Sequence, residues 1–332
     1  MNDDVTTASI CAIVVNYNGG DYLKACLDSL ERQTLAPTRV IVVDNASNDG
    51  SAELAAQHSL GVEMISNIEN LGFAVANNQA IKQAQDCKWL ALLNPDAEAA
   101  PEWLEALYAA TNEHPLFDSF ASLQIAASDS NVCDGAGDCY HAVGYGWRRG
   151  HNLPLDPEMK DYQEVFSSCA AACLLRRSAV EAVDGFDSQF FCYGEDLDLG
   201  FRMRLNGGKA LFVRRAEVLH HQSAITGQRS EFSVYHGQRN LVWVFTKNMP
   251  TSVFILMLLP HVALNLGSII AYSARGQFRT VLKAKLDALR GLKAIWKKRQ
   301  IVQRNASRAS KNELVQAMDF SLAPLWKRLA SS

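Results

Sequence analysis

The stretch ICAIVVNYNGG at residues 10–20 decides the fold. Ile10 to Val15 is an unbroken apolar run rich in β-branched residues, and Asn16-Tyr17-Asn18-Gly19-Gly20 stops it. That pattern predicts a strand buried on both faces and closed by a turn. The unit recurs downstream. Val40–Val43 ends at Asp44-Asn45, Val62–Ser66 is a third short strand, and Trp89–Leu93 ends at Asn94-Pro95-Asp96. Between them lie helical stretches at Asp21–Gln33, with Leu23, Leu27 and Leu30 in phase, at Ser51–His58 and at Phe73–Gln85. Short apolar strands alternating with helices predict an α/β domain with a mostly parallel central sheet and flanking helices.

Three polar clusters, Asn16-Tyr17-Asn18, Asp44-Asn45 and Asn94-Pro95-Asp96, each follow the C-terminal end of a strand. In open α/β sheets ligands bind along that edge. Each cluster alone also suits an ordinary turn. Further on, 115–166 reads as irregular, with the Gly-rich loop Cys133-Asp134-Gly135-Ala136-Gly137-Asp138 and the stretch Gly144 to Gly150, rich in aromatics and Arg. Loops of that make-up more often bind than merely connect. Cys169–Arg176 is apolar, Glu195–Asn206 reads as a helix, Ala210–Val213 as a strand, and His220-His221 follow.

The 332 residues are 48% hydrophobic and 20% charged, enough for a large packed core and unlike a disordered chain. The net charge of −3 conceals an asymmetry: from Ser273 onward there are 14 Lys+Arg and 3 Asp+Glu, against 18 and 32 in the rest. Eight cysteines, none in a CxxC pair and several in apolar runs, read as small core residues of a reducing compartment. Cys133 and Cys139 are the one pair whose spacing would suit a metal or a disulfide. The acidic MNDDVTTAS at the N-terminus does not read as a secretory signal. No GxGxxG, GxxxxGK[ST] or GxSxG is present, which argues against dinucleotide, P-loop and α/β-hydrolase chemistry.

The residues suited to chemistry are few. Asp96, at a strand end behind Pro95, is a carboxylate able to hold a divalent cation, or a turn Asp. Glu195 and Asp196 open a helix; acids favour that position structurally, and the helix field would keep a carboxylate ionised, as a general base requires. His220, a strand's length beyond, would complete a metal site beside a carboxylate, or cap or fill the core.

Taken in order, IVVNYNGGDYLKACLDSL, VIVVDNASNDGS, NLGFAVANNQA, LLNPDAE, GFDSQFFCYGEDLDLGFR and HHQS resemble the family-2 inverting glycosyltransferases of the GT-A fold, within them the bacterial rhamnosyltransferase-like group. The resemblance runs from about Ile10 to Gln222. It implies that Asn16, Tyr17, Asn18 and Asp44 contact the donor's base and ribose. Asn70, Gly72 and Asn78 would line the nucleotide pocket, with Asn94 beside them. Asp96 would be the last acid of an Asp-x-Asp metal motif whose first place holds Asn94, so a single carboxylate would bind Mg²⁺ or Mn²⁺, with His220 as a further ligand. Asp196, next to Glu195, would be the base. The implied donor is a nucleotide-diphosphate sugar, dTDP-rhamnose or otherwise a UDP-hexose. The implied acceptor is a saccharide or polyprenyl-linked saccharide in cell-surface polysaccharide assembly. A sugar-nucleotide-binding membrane protein without catalysis is the reading from another class.

Residues 1–247 are therefore expected to form the catalytic domain and 248–332 a helical, apolar-then-basic tail. Val253–Tyr272 contains no Asp, Glu, Lys or Arg. It is long enough to span a bilayer, but spanning would put the basic tail outside, against the positive-inside tendency. A hairpin broken at Pro260 in the inner leaflet avoids that conflict. Anionic inner-leaflet lipid, and not nucleic acid, is the expected partner of the tail, placing the protein at the cytoplasmic face of the inner membrane; a helical oligomer interface is the alternative.

Overall fold

The computed structural model of the chain describes residues 9–222, 227 and 230–321. The acidic N-terminus, Ser223 of the HHQS motif and the last eleven residues of the tail lie outside the described residues.

The first half alternates as expected: β1 (Ile10–Asn16), α1 (Gly20–Glu31), β2 (Arg39–Asp44), α2 (Ser51–Ala56), β3 (Glu63–Ser66), α3 (Phe73–Gln83), β4 (Trp89–Leu93), β5 (Ala97–Ala99) and α4 (Trp103–Glu113). Next come β6 (Ser119–Ala126), β7 (Val132–Gly135), β8 (Asp138–His141), β9 (Tyr145–Arg148), β10 (Leu153–Pro154), β11 (Tyr162–Val165) and β12 (Ala172–Arg176). The chain then forms α5 (Arg177–Glu181), α6 (Glu195–Leu205) and β13 (Ala210–His220). Four helices follow: α7 (Glu231–Asn248), α8 (Thr251–Ala274), α9 (Phe278–Asn305) and α10 (Arg308–Gln316).

The main sheet runs in the order β10-β7-β6-β12-β4-β1-β2-β3, with β13 pairing β6, β5 and β11. The run β4-β1-β2-β3 is parallel, whereas β12 sits antiparallel between β4 and β6, so the sheet as a whole is mixed. Both faces of β1 are covered. Ile10, Ala12 and Val14 pack with α1 and Trp103 on one side, and Cys11, Ile13 and Val15 pack with Ala76, Ala80 and Ile81 of α3 on the other. A strand with no solvent face has no reason to alternate, which is why its sequence is one apolar run.

The stretch expected to be irregular contains the eight-residue core strand β6. Its polar residues hid it: Ser119, Ser122 and Gln124 are all buried. Ser122 Oγ accepts a 2.8 Å hydrogen bond from Trp103 Nε1, so the hydroxyl is satisfied inside the core. β13 likewise exceeds the expected four residues, because a bulge between Val213 and Glu217 lets it continue along β6 to His220. The described cysteines are all free, Cys133 and Cys139 included.

The C-terminal helices share a core with the sheet domain. Trp243, Phe245, Ala288, Ile295 and Leu314 pack with Tyr140, Phe166, Phe190 and Phe201. Helix α8 corrects one expectation: it continues through Pro260 without a break. A proline costs one backbone hydrogen bond and bends a helix. Here the helix carries on to Ala274 with that bond forgone, and His261 beside the proline is anchored through Nδ1 to Val143 O at 2.8 Å. The hairpin forms later, where Arg275–Gln277 turns the chain from α8 into α9.

Candidate active site

A cavity of about 710 Å³ opens along the sheet edge where β1 and β4 end. β12 runs antiparallel to β4, so its leading residues Cys169–Ala171 reach the same edge, where Asn94 N–H donates to Ala171 O at 2.8 Å. Tyr17, Asn70, Gly72, Asn94, Asp96, Glu195, Asp196 and His220 all line this cavity. Segments more than a hundred residues apart in sequence thus share one space.

Asp96 and His220 are brought together by strand pairing. His220 of β13 stands opposite Ala97 of β5, and His221 N–H donates to Asp96 O at 2.9 Å. His220 Nε2 is buried and lies 3.4 Å from Asp96 Oδ1. The other ring nitrogen, Nδ1, is 2.7 Å from Oδ2 of Asp134. Asp134 is fully buried and is a hub. The same Oδ2 accepts from Arg148, while Oδ1 meets His151 Nδ1 at 3.1 Å and accepts from Gln222 Nε2 at 2.8 Å. Burial would raise the Asp134 carboxyl, but hydrogen bonds from His151 and His220 and the Arg148 charge outweigh it and hold it far below the usual carboxylate range. For His220 burial works against the proton, yet Asp134 and Asp96 together draw its pKa up to about 9.

This donor set fits a divalent cation. A buried imidazole nitrogen faces one carboxylate at 3.4 Å and a second carboxylate fixes the ring from behind, so a cation at Nε2 would take the place of the proton the two carboxylates hold there. Metal-binding histidines are typically oriented in that way.

Also lining the cavity is the start of α6, which Gly194 with φ +84° opens and Glu195 and Asp196 follow. Asp196 accepts backbone N–H bonds from Ala170 at 3.2 Å and from Leu197 at 2.7 Å. Glu195 is buried, and its Oε2 has no hydrogen-bond partner. Burial, and then the Asp196 charge, push Glu195 well above the ordinary range, so the helix field does not keep it ionised as the sequence reading expected. Asp138, on β8, shows the same effect: burial and the Asp196 charge raise it to about 8 against a 2.9 Å bond from Ser167 Oγ. Asp198, one turn into α6, is turned away and paired with Arg202 and Lys247 in a buried ion cluster.

Four of the expected donor residues stand behind the cavity instead of lining it. Asn16 Nδ2 donates to Asp44 Oδ1 at 2.7 Å and to Ser51 Oγ at 2.8 Å, and Asp44 also accepts from Ser47. Asn18 Oδ1 accepts from Asn48 N–H, and Asn78 clamps both backbone groups of Phe186. Their polar groups are spent on tying the strand ends and loops together. Gly72, which does line the cavity, has φ +83°, and a Cβ there would lie 2.6 Å from the Phe191 ring. Only glycine lets the loop ahead of α3 approach Phe191 this closely.

Sequence reasoning missed Asp134, Asp138, Trp147 and Arg148 as site residues. The hairpin β8–β9 carries Asp138, Trp147 and Arg148 into the cavity. The signal was there in the Gly-rich Cys133–Asp138 loop and the Trp-Arg pair, but nothing in one dimension tells which acid turns inward. Also unforeseen is the loop ahead of Glu195. Phe191 and Tyr193 both have φ +66°, and Asn240 of α7 donates to Phe190 O at 3.0 Å, Cys192 O at 3.0 Å and Tyr193 O at 2.6 Å.

The sequence matches the family model described as "Glycosyl transferase family 2" over residues 11–183. It is 30% identical over 250 residues to an N-acetylglucosaminyl-diphospho-decaprenol L-rhamnosyltransferase of Mycobacterium tuberculosis, covering 68% of this chain and 80% of that protein. It is 26% identical over 230 residues to the O-antigen chain rhamnosyltransferase RfbN of Salmonella typhimurium, covering 68% of this chain and 70% of that one. Among solved structures, the fold is similar to GalNAc-T7 with UDP, GalNAc and Mn²⁺. The TM-score is 0.57 at 18% identity, over 72% of this chain and about half (48%) of that one. It is also similar to the mannosyltransferase PcManGT from Pyrobaculum calidifontis in complex with GDP-Man and Mn²⁺. There the TM-score is 0.54 at 17% identity, over 94% and 86%. At such identities these structures speak to the fold alone.

Proposed function

The chain belongs to glycosyl transferase family 2, and from that membership we propose that it transfers a rhamnosyl group from dTDP-rhamnose to a lipid-linked saccharide with inversion. That it is a hexosyltransferase of the GT-A fold follows from the family. The sugar, the base, the acceptor and the place of action are our reading. Its chief support is the relative that acts, by its name, as a rhamnosyltransferase on a diphospho-decaprenol-linked sugar. We take residues 1–247 as the catalytic domain and 248–332 as its tail, working at the cytoplasmic face of the membrane in cell-surface polysaccharide assembly.

The observation that carries the chemistry is that Asp196, Asp96 and His220 line one cavity. In our proposal Tyr17, Asn70, Gly72 and Asn94 receive the nucleotide, while Asn16, Asn18, Asp44 and Asn78 hold the strand ends that shape its seat. Asp96 and His220 Nε2 would hold Mg²⁺ or Mn²⁺, which when bound neutralises charge on the departing diphosphate. Asp196 takes the proton of the acceptor hydroxyl. That oxygen bonds to the anomeric carbon as the bond to the diphosphate oxygen breaks, and the nucleoside diphosphate leaves. Glu195 and Asp138, both held neutral by burial beside Asp196, do not compete for that proton and do not repel the diphosphate.

The test offers dTDP-rhamnose, UDP-galactose, UDP-glucose and UDP-N-acetylglucosamine separately, each with Mn²⁺ and a polyprenyl-diphospho-N-acetylglucosamine acceptor. A rhamnosylated product with inverted anomeric configuration is expected from the first donor alone. Transfer from a UDP-hexose overturns the rhamnosyl assignment in favour of that hexose. Absence of transfer from every donor overturns the acceptor assignment as well.

A further inference from the structure

Helix α8, with 24 residues, is long and apolar enough to cross a membrane by length and composition alone. At 1.5 Å per residue it is about 36 Å long. Only Val253 and His261 along it are buried. Its most covered side runs through 253, 257, 261, 264, 268 and 272. The opposite face presents Ile255, Leu256, Leu259, Val262, Leu266 and Ile270, exposed between 45% and 79%, with no charged residue among them. An uninterrupted apolar face of this extent marks an interaction surface.

The next helix decides how that surface is used. α9 is tied to α7 along its length. Trp243 Nε1 donates to Ala288 O at 3.0 Å, and Lys285 Nζ to Gln238 O at 2.9 Å. Arg299 Nη1 donates to Thr246 O at 2.9 Å, and Gln303 Nε2 to Asn248 O at 2.8 Å. Were α8 to cross a bilayer, Phe278 would start α9 on the far side, while Lys285 is already bound to the catalytic side. The seven steps from 278 to 285 reach about 10 Å as helix, far short of the roughly 30 Å hydrocarbon layer. The α8–α9 hairpin therefore forbids a span.

α9 adds a second face beside the first. Leu286, Leu289, Trp296 and Ile301 are exposed there, interleaved with exposed Arg290, Lys293 and Lys297. Trp296 rests on Phe254 of α8 with ring centroids 5.8 Å apart, so the two faces adjoin. Apolar residues with an aromatic, alternating with Lys and Arg on one helix side, suit the boundary between acyl chains and anionic headgroups.

We propose that the α8–α9 hairpin is a monotopic docking face: α8 lies in the plane of an anionic bilayer, submerged along its Ile255–Ile270 side, while Arg290, Lys293 and Lys297 of α9 engage the headgroups. This deepens, and rests on, the proposed action at a membrane. The hairpin also places the bilayer beside the cavity. His261, on the most covered side of α8, is bonded to Val143 in the turn of the β8–β9 hairpin that carries Asp138, Trp147 and Arg148. A lipid-linked acceptor then needs to rise only from the submerged helix to the hairpin above it.

The test uses the full-length protein with phosphatidylglycerol and phosphatidylcholine vesicles. An environment-sensitive fluorescent amino acid is installed singly at 256, 259, 266 or 270, and its depth is read with lipid-borne quenchers. In-plane seating predicts the same depth, within about 5 Å, at all four sites, whereas a span predicts a gradient of about 21 Å from 256 to 270. Flotation should favour the anionic vesicles and fall about tenfold or more in Leu259→Asp or Leu266→Asp. A depth gradient overturns the in-plane arrangement while leaving membrane attachment standing. Failure to float with either vesicle overturns attachment itself. So does a dimer, seen by sedimentation, that Leu259→Asp dissolves while vesicle binding is absent. Transfer to a water-soluble acceptor analogue is measured alongside, so loss of the membrane face is distinguished from loss of the transferase reaction.

Discussion

Replacing Asp134 by Asn tests the metal reading more sharply than replacing a ligand would. The side chain keeps its shape, touches no substrate, and is fully buried between four donors. An amide offers one acceptor where the carboxylate offers two. With a cation on His220 Nε2, Nδ1 must donate, and Arg148 can only donate, so the amide oxygen will remain with these two. Its NH₂ then faces His151 and Gln222, which must turn to accept. His220 keeps its tautomer but loses the charge behind it, and Arg148 is left without its carboxylate. Losing the outer partner of a metal-bound His costs about 10–100-fold in metal affinity, or about 1.4–2.7 kcal/mol. The weakened buried bonds cost about 1–3 kcal/mol of stability, a Tm fall of roughly 2–12 °C for a domain of this size. The assay is Mn²⁺ titration of the folded protein in the presence of dTDP, with free Mn²⁺ read by electron paramagnetic resonance and folding checked by circular dichroism. A dissociation constant within about twofold of wild type in a folded Asp134→Asn protein would refute the argument.

Other perturbations follow from the same geometry. Asp196→Asn should lower kcat by about 10²–10⁴-fold with nucleotide binding intact, measured by initial rates and dTDP thermal shift. Gly72→Ala forces a Cβ to 2.6 Å from Phe191 at φ +83°; strain of about 1–3 kcal/mol should raise the donor KM by about tenfold and leave acceptor KM unchanged. Asn240→Ala frees three carbonyls of the loop ahead of Glu195. A displaced base should cost about 10²-fold in kcat with little change in KM, which the kcat and KM split will read. His261 is neutral in the fold, its pKa drawn down by burial to about 4. The unfolded chain therefore takes up the proton first as pH falls. Stability is fully present above about pH 6.5 and is lost toward pH 4, by up to about 3 kcal/mol. Urea melts should show that slope, and His261→Asn should flatten it in part, since His236 is also drawn down to about 4.

The sequence revealed the parts of the fold whose burial is purely apolar. β1, β2 and β4 have no solvent face, so their apolar runs and the polar residues ending them were visible at once. β6 was invisible because it buries Ser119, Ser122 and Gln124, and the two serines are satisfied by Ser168 and Trp103 elsewhere in the chain. Asn16, Asp44 and Asn78 were read as donor contacts since a loop amide or acid looks alike whether it meets a ligand or the backbone. Only the bonds to Ser51, Ser47 and Phe186 separate the two. The tail was legible in composition but not in arrangement. Pro260 suggested a break, while the actual turn depends on where α9 finds α7.

The choice of base illustrates the limit most clearly. Glu195 and Asp196 share one helix N-terminus, and the helix field acts on both alike. What separates them is burial. Both border the cavity, but Glu195 is buried with an oxygen that nothing bonds, whereas Asp196 is half-buried and receives two backbone N–H groups. Asp138 arrives from a hairpin sixty residues earlier and is neutralised by the same crowding. Three carboxyls in so small a volume cannot all carry charge. The Asp196 charge is the one that raises both of its neighbours, and in the proposed reaction it is the one that takes the acceptor's proton. The role thus belongs to the trio's packing, and exchanging Glu195 for Gln should leave activity largely intact where Asp196→Asn does not.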